Sequence, residues 1–321
     1  MPASPDAAIL RCLREAGDAF TASSELGEPA AVAGRIEGLR EAGYEIEQHP
    51  HLGYRLVSSP DRLVADDILS RLPELRWIRE VMVFKSVSST NDVVTSLARD
   101  GVRPGVVVFA EEQTAGRGRL GRRWQSDPRL GLWFSVLLRP EMPLAEWPRL
   151  TLWIAYAVAQ AIRHMHGPEI MVKWPNDLYA SGRKVAGILV ETSLGRDPFA
   201  TAGIGLNVNQ VSFPPPIDAT ATSLRIQTGA PLDRNVIAAA IIASLDRSFS
   251  LVTSDFHEIL AWASGADYLR GRWVSATAGA DTCEGVAQGL DPDGFLLIRS
   301  AAGAVLRLNS GEVTRFSTDG R

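Results

Sequence analysis

Apolar residues return at helical spacing twice near the N-terminus, first at Ile9, Leu10 and Leu13, then at Val32, Ile36 and Leu39, with Gly43 stopping the second run. This predicts two short helices joined by a turn. The period then falls to two: Tyr44 and Ile46 alternate with Glu45 and Glu47, a Pro-His-Leu-Gly turn fills positions 50–53, and Tyr54 and Leu56 resume the alternation. Helices followed by a small hairpin read as a winged helix-turn-helix over residues 1–60, bounded by Ser58, Ser59 and Pro60.

Strands and helices mix over residues 61–269. Helices are expected near Ala65 to Leu72, Asn91 to Arg99, Leu150 to Met165 and Asn235 to Leu251. Short apolar runs at Val81 to Phe84, Val106 to Ala110 and Leu132 to Leu138 suit buried strands, and Ile170 to Trp174, Lys184 to Glu191 and Gly203 to Asn209 complete an α/β sheet. Over residues 270–321, strand-like stretches at Trp273 to Ala276, Cys283 to Gln288, Phe295 to Arg299 and Val305 to Asn309 suit a small β-barrel.

At 321 residues the chain calls for two or three such units. The only cysteines, Cys12 and Cys283, form neither a paired framework nor a metal cluster, which points to a cytoplasmic protein without a structural metal. No apolar run is expected to approach the roughly 20 residues that span a bilayer. Residues 1–60 hold nine acids against five arginines, a balance of −4 that equals the formal charge of the whole chain. Only three of the 33 cations are lysines, and two of these, Lys173 and Lys184, flank the segment Trp174-Pro175-Asn176-Asp177. Lysine supplies a compact point charge where arginine supplies a flat fork.

Three further segments carry candidate chemistry. Gly116-Arg117-Gly118-Arg119-Leu120-Gly121-Arg122-Arg123-Trp124 sets four arginines among three glycines, a composition that suits a polyphosphate or, alternatively, a solvated basic strip touching RNA. In Gly203-Ile204-Gly205-Leu206-Asn207-Val208-Asn209 one strand face is stripped to Gly, Gly, Asn and Asn, for a ligand or for tight helix packing. Ser88-Ser89-Thr90-Asn91 opens a helix as a cap, a polar-ligand grip, or both. Asn176 and Asp177 are either turn formers or, with Lys173, partners of a magnesium-bound phosphate. Along the second lysine's strand, Lys184, Ala186, Ile188 and Val190 are expected to share a face. No Ser-His-Asp or Cys-His arrangement is evident, so no covalent enzyme intermediate is expected.

The glycine-arginine loop, Lys-Trp-Pro-Asn-Asp, Gly-Arg-Lys-Val-Ala-Gly-Ile-Leu-Val-Glu and Gly-Ile-Gly-Leu-Asn-Val-Asn, in this order, resemble the biotin protein ligases. The resemblance implies an α+β protein: an N-terminal winged helix-turn-helix, a central mixed α/β ligase domain of the biotin/lipoate ligase type, and a C-terminal Src-homology-like barrel. It implies ATP-dependent formation of biotinyl-adenylate and transfer of biotin to a lysine of the biotin carboxyl carrier protein of acetyl-CoA carboxylase. By motif match, Ser89, Thr90, Asn91, Gln113, Arg117, Gly118, Arg119 and Lys184 would hold biotin. Gly116, Arg119, Arg122, Trp124, Lys173, Asn176, Asp177 and Asn207 would line the ATP side, with Mg2+ bound through Asp177, and Lys184, Arg119, Lys173 and Asp177 would carry catalysis. The winged start resembles the bifunctional subgroup that represses biotin genes as a ligand-linked homodimer on operator DNA. Arg35 and Arg40 are then the candidate DNA contacts, although the acidic balance and the shortened Ser23–Pro29 turn weaken that reading. The alternatives are a lipoate or octanoate transferase and a biotin-sensing transcription factor without turnover.

Overall fold

A computed structural model describes residues 4–279 and 281–317. Helix α1 (Pro5–Glu15) starts with Pro5 and with Ser4 accepting from the Ala7 amide, and it buries Ala7, Ile9, Leu10 and Leu13 along one stripe. A single turn, α2 (Ser23–Leu26), separates it from α3 (Pro29–Glu41), which buries Val32, Ile36 and Leu39. The short turn is where the sequence looked curtailed. Strands β1 (Glu45–His49) and β2 (Gly53–Ser58) form the expected antiparallel hairpin.

The central part runs α4 (Ala65–Ser70), β3 (Glu80–Phe84), α5 (Thr90–Arg99), β4 (Val106–Ala110), β5 (Gly131–Leu138), α6 (Arg149–His164), β6 (Met171–Lys173), β7 (Asp177–Ala180), β8 (Arg183–Ser193), β9 (Phe199–Asn207), α7 (Leu224–Thr228), α8 (Arg234–Ser248), α9 (Leu251–Ser254) and α10 (Phe256–Gly265). Its seven strands lie in the order β3-β4-β5-β9-β8-β7-β6, with only β3 and β4 parallel. Val107 and Phe109 of β4 point into the large core under α6 and α8, whereas Val106 and Val108 meet Val94 and Ala98 of α5 on the other face. Burial on both faces is why this strand reads as a continuous apolar run.

One expectation needs correcting. The stretch Arg234–Ser254 is 21 residues long with mean hydropathy 1.6, long and apolar enough to cross a membrane. It is instead a core element: Ile237, Ile241, Ile242 and Leu245 are fully buried in the main core beside α6.

Strands β10 (Trp273–Ala278), β11 (Asp281–Leu290), β12 (Leu296–Arg299), β13 (Val305–Leu308) and β14 (Glu312–Ser317) form an antiparallel sheet ordered β13-β12-β11-β10-β14. Among the described residues no pairing joins β13 to β14, so the expected small barrel is, by its hydrogen bonds, an open five-stranded sheet. Sequence periodicity misses β14, because only Val313 in it is buried.

The N-terminal unit is tied to the sheet through α4. Asp67, with no exposed surface, accepts from Arg14 Nη2 (2.7 Å), Tyr44 Oη (3.0 Å) and Arg71 Nε (2.7 Å), and Arg71 continues to Asp233 (3.1 Å), the N-cap of α8. Arg11 donates to the Leu69, Ser70 and Leu72 carbonyls at the end of α4, where a cation suits the helix dipole. Burial beside Asp67 pushes the Tyr44 phenol far up, so it stays a donor. Removing the carboxylate leaves two arginines and a phenol without their acceptor. Asp67→Ala is therefore expected to lower stability by about 3 kcal/mol in urea titration; a midpoint equal to wild type would show that the cluster does not hold the two parts together.

Candidate active site

Helix α5 covers only part of its sheet face, and the uncovered part is paved with glycine. Gly205 of β9 pairs with Gly187 of β8, and the Trp124 indole lies over both: a Cβ on Gly187 would stand 3.0 Å from the ring, and one on Gly205 would overlap it. A Cβ on Gly203 would collide with the Asn91 side chain. The stripped face foreseen in the sequence is used for close packing, of Asn91 from α5 on Gly203 and of the Trp124 indole on Gly205 and Gly187, at the edge of a cavity. Above this floor is a cavity of about 710 Å3, lined by every expected biotin or ATP residue except Gly116. Gly116 is buried behind the wall, where a Cβ would press on the Trp124 carbonyl and Ser126.

At one end the lining is a chain of neutral polar groups. Gln113 Oε1 accepts from the Thr90 amide (2.9 Å) and hydroxyl (3.1 Å), and its Nε2 donates to Ser126 (2.9 Å). Thr90 Oγ1 lies 2.6 Å from Ser135 Oγ, which donates to Asn91 Oδ1 (2.6 Å), and Asn91 Nδ2 donates to Glu191 (2.6 Å). Ser89 occupies the N-cap position of α5, its hydroxyl makes no cap bond, and it lines the cavity. Sequence reasoning missed Ser126, Ser135 and Glu191. A lone serine inside Leu-Trp-Phe-Ser-Val-Leu-Leu, fully buried, was a usable signal.

At the other end the groups are charged. Lys184 Nζ meets Asp177 Oδ1 at 2.6 Å and stands 5.2 Å above the Trp124 ring. The expected face-sharing with Ala186 and Ile188 fails. Leu178 and Tyr179 of β7 pair with Ala186 and Lys184, so Val185 is an extra residue, and the bulge turns Lys184 toward Gly187 while Ala186 and Ile188 stay in the core. Without it the ammonium would point into apolar packing, which is costly. Asn176 is pinned to β8 by its Nδ2 on the Ile188 carbonyl (2.8 Å) and accepts from Arg119 (3.3 Å). Burial pulls the Arg119 guanidinium below its usual range.

The four loop arginines are not one phosphate cluster. Gly118 N donates to the Arg122 carbonyl (2.7 Å), making residues 117–123 a small hairpin with Leu120 at φ 55°. Arg117 is taken by Asp92 and Glu191, Arg122 by Glu312 of the C-terminal sheet, and Arg123 has no ion pair among the described residues. Lys173 lines the cavity but leans on that same sheet, with Nζ 3.4 Å from the Val313 carbonyl and 5.0 Å from the Phe316 ring. Burial lowers its pKa, against the opposing pull of Asp177. Nothing in the sequence announced Glu312 or Val313 as neighbours of the cavity.

Asn207 lines the cavity with its amide tied to the Thr222 carbonyl (3.0 Å) and Gln210 (3.2 Å). Asn209 instead braces the loop at Leu232, donating to its carbonyl and accepting from its amide, both at 2.9 Å, so the ligand role inferred for it falls. Among the described residues no group of three or more His, Cys, Asp or Glu could hold a metal ion. Trp124 lines the cavity, and its Nε1 is buried against Gly205 with no hydrogen-bond partner among the described residues.

Fold and cavity define a ligase of the biotin/lipoate type: residues 83–209 match the biotin/lipoate A/B protein ligase family. Residues 271–314 match the biotin protein ligase C-terminal domain. The chain is 34% identical over 306 residues to the bifunctional ligase/repressor BirA of Bacillus subtilis, covering 92% of this chain and 94% of that one. It is 33% identical to the biotin--[acetyl-CoA-carboxylase] ligase of Mycobacterium tuberculosis, over 74% of this chain and 90% of the relative. The biotin protein ligase from Aquifex aeolicus, solved with biotin and ATP, superposes with a TM-score of 0.64 at 32% identity, covering 74% of this chain and 98% of that one. The chain belongs to the biotin protein ligase family.

The glycine floor can be tested directly. Gly205→Ala places a methyl where the indole lies, so overpacking of about 1 to 3 kcal/mol is expected, with a red-shifted Trp124 emission measured against a Trp124→Phe control. Unchanged melting and emission would mean that the indole does not rest on β9.

Proposed function

We propose that this chain joins biotin to ATP and passes the biotinyl group to a lysine of an acetyl-CoA carboxylase carrier domain. The observation that carries this is one continuous cavity with neutral hydroxyl and amide groups at one end and Lys184, Asp177 and Arg119 at the other. The polar end suits a neutral cyclic urea; the charged end suits a carboxylate meeting a phosphate. The names of the relatives above agree with this ligase reading.

In the first step a biotin carboxylate oxygen attacks the α-phosphorus, the bond to the bridging oxygen breaks, and pyrophosphate leaves. Carboxylate and phosphate repel until cations neutralise them, and Lys184 with Arg119 serves that purpose in a cavity shielded by Trp124. Asp177 holds the ammonium in place. In the second step a lysine amine attacks the anhydride carbonyl, AMP leaves, and no enzyme nucleophile is needed. Mg2+ would arrive with ATP, held chiefly by phosphate oxygens and water, with Asp177 the expected carboxylate on the wall. We assign residues 1–60, 61–269 and 270–321 to an N-terminal winged helix-turn-helix, a catalytic domain and a C-terminal domain.

Lys184→Gln is expected to lower biotin-dependent ATP–pyrophosphate exchange about 10²- to 10³-fold, the loss typical of one transition-state donor, while circular dichroism stays native. Near-normal exchange sinks the assignment, and exchange supported by lipoate instead of biotin would favour the lipoate alternative.

A second reading, repression of biotin genes by a homodimer on operator DNA, is favoured by the 92% coverage of this chain by a relative named ligase/repressor. It must contend with charge. Every arginine before residue 60 is already engaged: Arg11 and Arg14 on α4, Arg35 on Asp6, Arg40 on Glu37 and the Ile46 carbonyl, Arg55 on Glu47. Gel shift with the upstream region of its own biotin genes, with biotin and ATP present, is expected to retard DNA only at low salt, since few phosphate contacts can form. No shift at any salt ends the repressor reading.

A further inference from the structure

Arg117 opens the loop hairpin, and Asp92 sits in the first turn of α5, the helix end that carries Ser89, Thr90 and Asn91. Their pairing is side-on: Nη1 donates to Asp92 Oδ2 at 2.9 Å and Nη2 to Oδ1 at 2.6 Å, a geometry that fixes the guanidinium plane. Glu191 of β8 adds a second carboxylate 3.6 Å away while also receiving Asn91. Arg117 holds the Asp92 carboxyl below the usual range, so the pair is fully ionic at neutral pH. The consequence for the loop is specific. A residue whose motif position suggests a ligand contact has its fork spent on two carboxylates, one on the helix and one on the strand that enclose the polar end of the cavity.

An acid in a first turn also favours the helix dipole, but that role needs no partner 25 positions away across the cavity mouth. The pair is half exposed and adds little to global stability. Its effect falls on local opening, because beyond the Trp124 indole seated on β8 and β9 few other contacts tie the hairpin to the rest of the protein: Lys184 over the Trp124 ring, Arg119 on Asn176 and Arg122 on Glu312.

We propose that Asp92 is a positioning residue which, through Arg117, keeps the Gly116–Trp124 loop closed over the polar end of the cavity and so sets how long the acyl-adenylate stays enclosed. The inference rests on the ligase reading above. An adenylate released early is a mixed anhydride in water; a solvent-borne amine attacks its carbonyl carbon, the bond from that carbon to the phosphate oxygen breaks, AMP departs and the amine loses a proton to water.

Asp92→Asn keeps the size and a residue that helix starts accept, but removes the charge; Asp92→Glu restores the charge. Each protein is loaded with biotin and ATP, and three quantities are read: ATP–pyrophosphate exchange, release of labelled adenylate in a chase, and biotin transferred to serum albumin. Asp92→Asn is expected to release adenylate about tenfold faster and to label albumin in proportion, as loss of a lid contact would. Asp92→Glu should stay close to wild type, and exchange should change little in either variant. Release and albumin labelling unchanged in Asp92→Asn would overturn the proposal, as would equal loss of exchange in both variants, which would mark a purely structural role. A wild-type chain that forms no adenylate would refute the ligase reading instead.

Discussion

The cavity exists because the seven-stranded sheet is covered unevenly. Helices α6 and α8 blanket one face completely, while α5 covers only the β4, β5 and Phe199 end of the other. A sheet face left bare in water must either carry polar side chains or carry almost none. Here β8 and β9 carry glycine at Gly187, Gly203 and Gly205, so Asn91 and Trp124 rest on backbone and a ligand-sized hollow remains. Each polar feature of the site hangs from that arrangement: the hydrogen-bonded chain from Gln113 through Thr90 and Asn91 to the Glu191 carboxylate starts from the first turn of α5, and Lys184 faces the hollow only because one extra residue turns it there.

Three of the six cations that line the hollow are paired with acids. Lys184 holds Asp177, Arg117 holds Asp92 and Glu191, and Arg122 holds Glu312. Gathering lysines and arginines round one cavity without counter-charge would cost folding energy through mutual repulsion. Pairing removes that cost and divides the labour. Arg117 and Arg122 become anchors of the loop, while Lys184 and Arg119 line the hollow beside Asp177 and Asn176.

The N-terminal unit shows the same economy with a different consequence. Its arginines brace α4 or offset neighbouring acids, and the Asp67 cluster links it through Arg71 to the cap of α8. What makes the unit well attached also leaves it few free cations for phosphate.

Local pattern was enough to place the main helices and most of the strands, because burial on one stripe or on both faces of a strand is written in the period of apolar residues; β4 matches its expected span from Val106 to Ala110. The motif residues of the site were likewise legible, since glycine against indole and hydroxyl against amide are needs of residue type. The sequence by itself determined the motif residues that line the cavity. Only the tertiary structure decided what each one touches: that a bulge re-aims Lys184, that Asn209 and Gly116 lie off the cavity, that Glu312 and Val313 arrive from a strand more than a hundred residues beyond Lys184, and that the loop arginines serve different masters. The physical reason is that a charge takes its meaning from the nearest opposite charge, and in this chain those partners lie far apart in sequence and meet only when the sheets are assembled.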